Sequence, residues 1–210
     1  MIEIETGPNP VASIIWLHGL GADGHDFEPI VPELELPRPV RFVFPHAPIR
    51  PVSINQGMRM RAWYDIFQFG GGAEDEAGIR ASQKLLEDLI EAERLPLFLA
   101  GFSQGGAIVL QTALRQPKKL CGVLALSSYL PLSGKAKAER NPANQETPIF
   151  MAHGLYDDII PITRAKTSRE VLQQLGYRVE WHEYPMPHSV CPQEIADISA
   201  FLSRNLLPSP

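Results

Sequence analysis

Apolar residues fall along this chain in two alternating patterns, short continuous runs and longer stretches of helical spacing. The runs at residues 11–17, 40–44, 97–100, 122–126 and 148–152 have the length and composition of strands buried on both faces. Between them Ile79, Leu85, Leu86, Leu89 and Ile90 mark an amphipathic helix ending near Arg94. Ala107, Leu110, Ala113 and Leu114 mark a second that stops at Gln116-Pro117, and Ile195, Ile198 and Leu202 a closing one. A further helix through Ala165, Ser168, Leu172 and Leu175 ends at Gly176, a residue suited to a left-handed cap. Residues 178–184 alternate Val179, Trp181 and Glu183 against Glu180, His182 and Tyr184, which predicts the last strand. Strands alternating with helices predict an α/β fold with a mostly parallel central sheet covered on both faces. Functional residues then belong in loops at the C-terminal ends of the strands.

Two stretches break the alternation. Residues 133–147 are polar and read as a surface loop. Residues 46–73 are a long segment in which only Met58-Arg59-Met60-Arg61 hints at a strand, and loops of that length in compact domains usually carry function. Trp63 and Tyr64 read as anchors to the core, whereas Ile66, Phe67 and Phe69 read as the wall or lid of a groove for an apolar substrate chain.

The stretch PLFLAGFSQGGAIVLQTALRQ, from Pro96 to Gln116, carries the clearest chemistry. A serine hydroxyl stands clear of a sheet edge only when strand turns into helix at once, which strains the serine and crowds the segments on either side. Small residues are therefore needed two before and two after it, and Gly101 and Gly105 flank Ser103 at that spacing. The pattern is a nucleophile elbow with Ser103 at the positive end of a helix dipole.

The first strand runs into HGLGADG, where Gly19, Gly21 and Gly24 spell GxGxxG. A dinucleotide site would further require a carboxylate at the end of the next strand, and Pro45-His46-Ala47-Pro48 stands there instead. The competing reading has this loop supply a backbone N–H, from Leu20, to an oxyanion hole whose other donor is the N–H of Gln104.

An alkyl hydroxyl needs a base, and the base an orienting group. Histidine fits, since its pKa of about 6.5 lets it take and release a proton near neutrality. Of six histidines only His188 lies in a loop after the last strand, completing the order Ser, Asp, His that this type of fold imposes. Asp157 and Asp158 both stand between them after a strand, and the residues alone barely separate the two; Asp158 also suits a helix cap. No metal or other cofactor is expected: there is no HExxH, and the cysteines and histidines lack ligand spacing.

Size and charge bound the rest. The 210 residues suit a single domain over 1–210, and a net charge of -5 with no basic cluster beyond Lys118-Lys119 argues against nucleic acid or an anionic membrane as partner. No apolar run approaches the roughly 18 residues of a membrane span, and the first residues lack the pattern of a signal peptide, so a cytoplasmic protein is expected. The two cysteines, Cys121 and Cys191, read as thiols.

LHGLGADGHDF, FPHAPIRPVSINQGMRMRAWYDI, GFSQGG, HGLYDDIIP and YPMPHS together resemble the bacterial carboxylesterase and acyl-protein thioesterase family of α/β-hydrolases, in that family's order and over nearly the whole chain. The resemblance implies an α/β-hydrolase fold without a large cap, and a triad of Ser103, Asp157 and His188, deciding for Asp157. It also implies Leu20 and Gln104 as oxyanion donors. The activity implied is hydrolysis of carboxylic esters, and of thioesters, of short to medium acyl chains. The partners implied are a small-molecule ester or thioester, a lysophospholipid or an S-acylated protein, and a homodimer is compatible with it.

Overall fold

The computed structural model describes residues 1–68 and 71–206. Its strands, in chain order, are β1 (Ile2–Glu5), β2 (Ala12–Leu17), β3 (Val40–Phe44), β4 (Ile49–Val52), β5 (Met58–Arg61), β6 (Leu97–Phe102), β7 (Gly122–Leu126), β8 (Ile149–Gly154) and β9 (Val179–Tyr184). The helices are α1 (Glu76–Ala92), α2 (Gln104–Ala113), α3 (Ser133–Glu139), α4 (Ile162–Gln174) and α5 (Pro192–Leu206). Seven strands form one sheet in the order β1-β3-β2-β6-β7-β8-β9, parallel throughout except for β1, which pairs antiparallel with β3. This is the α/β-hydrolase architecture, with β4 and β5 set apart as a two-stranded ribbon.

The continuous apolar runs have a direct physical cause: β2 and β7 are buried at every position because both faces of the sheet are covered. Alternate residues serve two separate cores. Ile15, Leu17, Leu97 and Leu99 pack with Ile79, Leu86 and Ile90 of α1, the apolar residues of α2 and Leu172 of α4. Ile14, Trp16, Phe98 and Ala100 pack on the other face with Ile198, Phe201 and Leu202 of α5 and with Ile30 and Val31 of a short 3-10 segment. Ring stacking of Trp16 on Phe27, with centroids 5.2 Å apart, ties that segment to the sheet. The β-to-α order thus puts the C-terminal ends of β2, β6, β7, β8 and β9 along one edge.

Three sequence expectations change. The chain begins with a strand, β1, half of whose residues are exposed, so it shows no continuous apolar run. The 46–73 segment contains β4 as well as the expected β5, turning through Gln56 and Gly57 at positive φ. Residues 133–147 lie at the surface but are mostly helical rather than loop. Residues 133–139 are α3, held to α1 by ion pairs of Lys135 with Glu76 and of Glu139 with Arg80, and to Arg115 just past α2 by a third. Asn144 beyond it is buried: its side chain accepts from the Leu120 N–H and donates to the carbonyls of Gln116 and Lys118. Asn144 and Thr147 thus satisfy buried backbone groups rather than water, a distinction composition does not make.

The α5 helix carries a buried charge. Glu194, in its first turn, is fully buried, and neither carboxylate oxygen has a hydrogen-bond partner among the described residues. Burial pushes its carboxyl up to about 8, the nearby Cys191 N–H opposing without forming a full hydrogen bond and repulsion from Asp197 adding. A raised folded-state pKa means the folded chain binds the proton more tightly than the unfolded one. The associated stability is present below the usual carboxylate range and is lost as pH rises through about 8. Glu194→Gln, which keeps the shape without the charge, is expected to raise the urea midpoint of unfolding at pH 9. The gain should be on the order of 3 kcal/mol or more, with little change at pH 5. An equal shift at both pH values would count against the buried charge.

Candidate active site

β6 ends at Phe102, and the chain turns into α2 through a single residue, Ser103, with φ 54° and ψ −120°. For a residue with a Cβ this conformation is strained, and the surrounding packing enforces it. A Cβ on Gly105 would lie 2.3 Å from the Leu17 carbonyl oxygen, and one on Gly101 would lie 2.5 Å from the Gly105 carbonyl carbon. Strand, turn and helix are pressed together, leaving no room for a side chain at either glycine. The Ser103 N–H donates to the Leu126 carbonyl and Ser128 Oγ donates to the Ser103 carbonyl, pinning the turn to the end of β7.

Two further loops meet Ser103 Oγ. His188 Nε2 lies 2.9 Å from it, and His188 Nδ1 lies 2.7 Å from Asp157 Oδ2. What brings residues so distant in sequence together is the close approach of the loop after β9 to the end of β8. A Cβ on Gly154 would come within 2.4 Å of the Met186 and Pro187 carbonyl oxygens. The N–H groups of Leu155 and Tyr156 donate to the carbonyls of Tyr184 and Met186. The Phe102 ring packs against the imidazole, tilted, with centroids 4.8 Å apart.

Asp157 is saturated with donors. Its Oδ1 accepts from the N–H groups of Ile159 at 2.9 Å and Ile160 at 2.8 Å. Its Oδ2 accepts from His188 and lies 3.2 Å from Nε2 of the buried His153, which also reaches the Ile160 carbonyl at 2.8 Å. Burial works to raise this carboxyl, but the hydrogen bonds from His153, His188 and the Ile160 N–H outweigh it and hold it well below the usual carboxylate range. An ionised Asp157 fixes His188 as the Nδ1–H tautomer, leaving Nε2 free to accept the Ser103 proton. Asp158 does not take part, nor does it cap a helix, since the N-cap of α4 is Pro161 and no side chain caps it. As one of six candidate histidines, His153 ends a strand beside a glycine and is not the expected base; its contact with Asp157, four residues on, is what the sequence does not show.

The glycine loop after β2 is organised around Ser103 rather than around a nucleotide. A 3-10 segment, Glu28–Glu33, follows it instead of an α-helix, and Gly24 sits where a Cβ would be 2.6 Å from the Phe44 carbonyl oxygen. His18 Nε2 accepts from the Ala47 N–H, so its Nδ1 carries the proton and donates to the Gly19 carbonyl. Gly19 lies against Phe102 and Ser103. The Leu20 N–H has no hydrogen-bond partner among the described residues, and Leu20 shares a cavity with Ser103, Gln104 and His188. Gln104 contributes twice. Its N–H opens α2, where helix N–H groups lack intrahelical partners. Its buried side chain accepts from the Trp63 N–H and donates to the Tyr64 carbonyl, both at 2.7 Å, fastening the 46–73 segment to the elbow.

The cavity has a volume of about 290 Å³. Leu20, Ile66, Phe67, Phe102, Ile159 and Ile160 form its apolar wall. Trp63 is a buried anchor outside the lining, its indole N–H donating to the His18 carbonyl; Tyr64 is an anchor that also lines the cavity. Ile66 is partly buried and Phe67 is 48% exposed, so Phe67 stands at the mouth. Phe69 lies outside the described residues.

An elbow serine in line with an imidazole and an ionised carboxylate, at the C-terminal edge of a parallel sheet, defines the class as an α/β-hydrolase of the serine type. Residues 2–206 match the model of the phospholipase/carboxylesterase family, and the chain belongs to that family. It is 43% identical to acyl-protein thioesterase 1 of Gibberella zeae over 94% of this chain and 92% of that protein, and 42% identical to acyl-protein thioesterase 1 of Neurospora crassa over 93% and 87%. Among solved structures it is similar to Arabidopsis thaliana SOBER1, with TM-score 0.88 and 29% identity over 93% of this chain and 99% of that one. Zea mays acyl-protein thioesterase 2 matches with TM-score 0.87 and 27% identity over 98% and 99%. These relatives are fungal and plant proteins, so the bacterial origin that the sequence resemblance implied is not supported and the family as a whole stands in its place. The chain is a serine hydrolase of the esterase and thioesterase type.

Proposed function

We propose that the chain, acting as a single hydrolase domain, cleaves esters and thioesters of short to medium acyl chains, S-acylated proteins among them. Ser103 is the nucleophile, His188 the general base and acid, and Asp157 the orienting carboxylate. The observation that carries this reading is the continuous hydrogen-bonded line from Asp157 Oδ2 through His188 to Ser103 Oγ, with contacts of 2.7 and 2.9 Å. His188 takes the Ser103 proton as Oγ attacks the acyl carbonyl. The N–H groups of Leu20 and Gln104 hold the oxyanion, each worth about 3 to 4 kcal/mol in the transition state. The imidazolium then protonates the departing alcohol or thiol, and water, deprotonated by His188, releases the acid. The acylated-protein substrate rests on the names of the fungal and maize relatives.

Two substrates test the reading together. Purified protein is expected to release thiol from an S-octanoyl-cysteine peptide and p-nitrophenol from p-nitrophenyl octanoate, with each substrate inhibiting turnover of the other. Cleavage of neither by folded protein would overturn it; cleavage of the oxygen ester alone would remove the thioesterase half.

A further inference from the structure

The cavity beside Ser103 has a polar wall that the chemistry above leaves unused. Tyr64, Tyr129, Glu74 and Arg164 all line it. The Tyr64 and Tyr129 hydroxyls are 2.7 Å apart, one donating to the other. Arg164, in the first turn of α4, lays its guanidinium 3.3 Å above the centre of the Tyr129 ring. Glu74 accepts from the Leu132 N–H through Oε2, while its Oε1 stands 3.6 Å from Arg164, longer than a hydrogen bond. The Arg164 side chain is 22% exposed, and its five N–H donors are set against one loose ion pair, the Tyr129 ring and, weakly, the Tyr129 hydroxyl. Tyr129 and Glu74 hold the group in place without using up its donors.

A cation in this position changes what the cavity accepts. Methylene groups laid against it strip its remaining hydration and return no hydrogen bond, which is costly for a charged group. A hydroxyl or keto oxygen at the same place accepts from it. A carboxylate is a poorer match, because Asp26, Asp65 and Glu74 line the same cavity and outnumber Arg164.

We propose that Arg164 determines acyl specificity, selecting acyl chains that carry a neutral hydrogen-bond acceptor, oxo- or hydroxy-acyl groups, over unsubstituted alkyl chains of equal length. The inference rests on the ester- and thioester-hydrolase reading above. It is tested with p-nitrophenyl acetate, octanoate, the 5-, 6- and 7-oxo-octanoates and the mono-ester of suberic acid, on the wild type and on Arg164→Met. For the wild type, at least one oxo ester is expected to exceed octanoate in kcat/KM by about tenfold, the discrimination a hydrogen bond to a charged group typically supplies. In Arg164→Met that preference disappears and the octanoate-to-acetate ratio rises by about the same factor. Ratios within one protein cancel any general loss of activity. If Arg164→Met fails to fold, the wild-type ranking decides alone. A wild type that prefers octanoate or the suberate ester to every oxo ester overturns the proposal, as do ratios unchanged in a folded Arg164→Met. A wild type inert toward every ester, acetate included, would instead bring down the hydrolase reading beneath it.

Discussion

Ser103→Ala is expected to lower kcat for p-nitrophenyl ester hydrolysis by about ten-thousand-fold to a million-fold, with the fold intact. The loss follows from the nucleophile's place at the head of the line: without Oγ, His188 Nε2 has nothing to deprotonate that is already aligned on the acyl carbonyl. Stability should barely change, for two reasons. The φ of 54° is as strained for serine as for alanine, and the side chain's partner is His188 rather than a structural group. Intact-mass spectrometry after fluorophosphonate treatment gives a readout that needs no knowledge of the natural substrate. One adduct is expected on the wild type and none on the variant. Undiminished turnover, or an adduct that persists, would remove Ser103 from the mechanism.

Asp157→Asn should cost nearly as much, about ten-thousand-fold in kcat, although only one atom changes. The carboxylate receives two backbone N–H groups on Oδ1 and two imidazoles on Oδ2. An asparagine that turns its carbonyl to Ile159 and Ile160 presents an NH₂ group to His188 Nδ1 and His153 Nε2. His188 can meet that group only by shifting its proton to Nε2, the nitrogen that must accept from Ser103. The opposite orientation sets NH₂ against two backbone donors in a buried place, which is worse. Asp158→Asn is the matched control, expected within a few-fold of the wild type in kcat/KM. A large loss for Asp158→Asn with a small one for Asp157→Asn would move the orienting role to the neighbour.

Much of this site is legible in the sequence. The Gly101 and Gly105 spacing around Ser103 is local steric chemistry, so five residues carry it. The position of His188 follows from chain order alone, since one histidine lies in a loop beyond the last strand. The choice between Asp157 and Asp158 was not legible in the residues. It depends on the path of the chain between Gly154 and Ile160 against the loop holding His188, contacts that span some thirty residues of sequence. His153, at the end of a strand beside a glycine, is set aside as a base by its position, and only the fold shows its Nε2 beside Asp157.

Taken by itself, the sequence determined the α/β alternation, the elbow, the order of the reacting groups and the apolar character of the 46–73 segment. Each of these depends on periodicity or on spacing within a few residues, where covalent geometry leaves few options. Tertiary structure alone decided that His153 stands beside Asp157, that Asn144 and Thr147 in the polar stretch at 133–147 are buried, that Glu194 is buried, and that Arg164 faces the cavity of Ser103. Those outcomes turn on which distant side chains share a volume and how completely water is excluded from it, and a one-dimensional pattern of polar and apolar residues does not encode either.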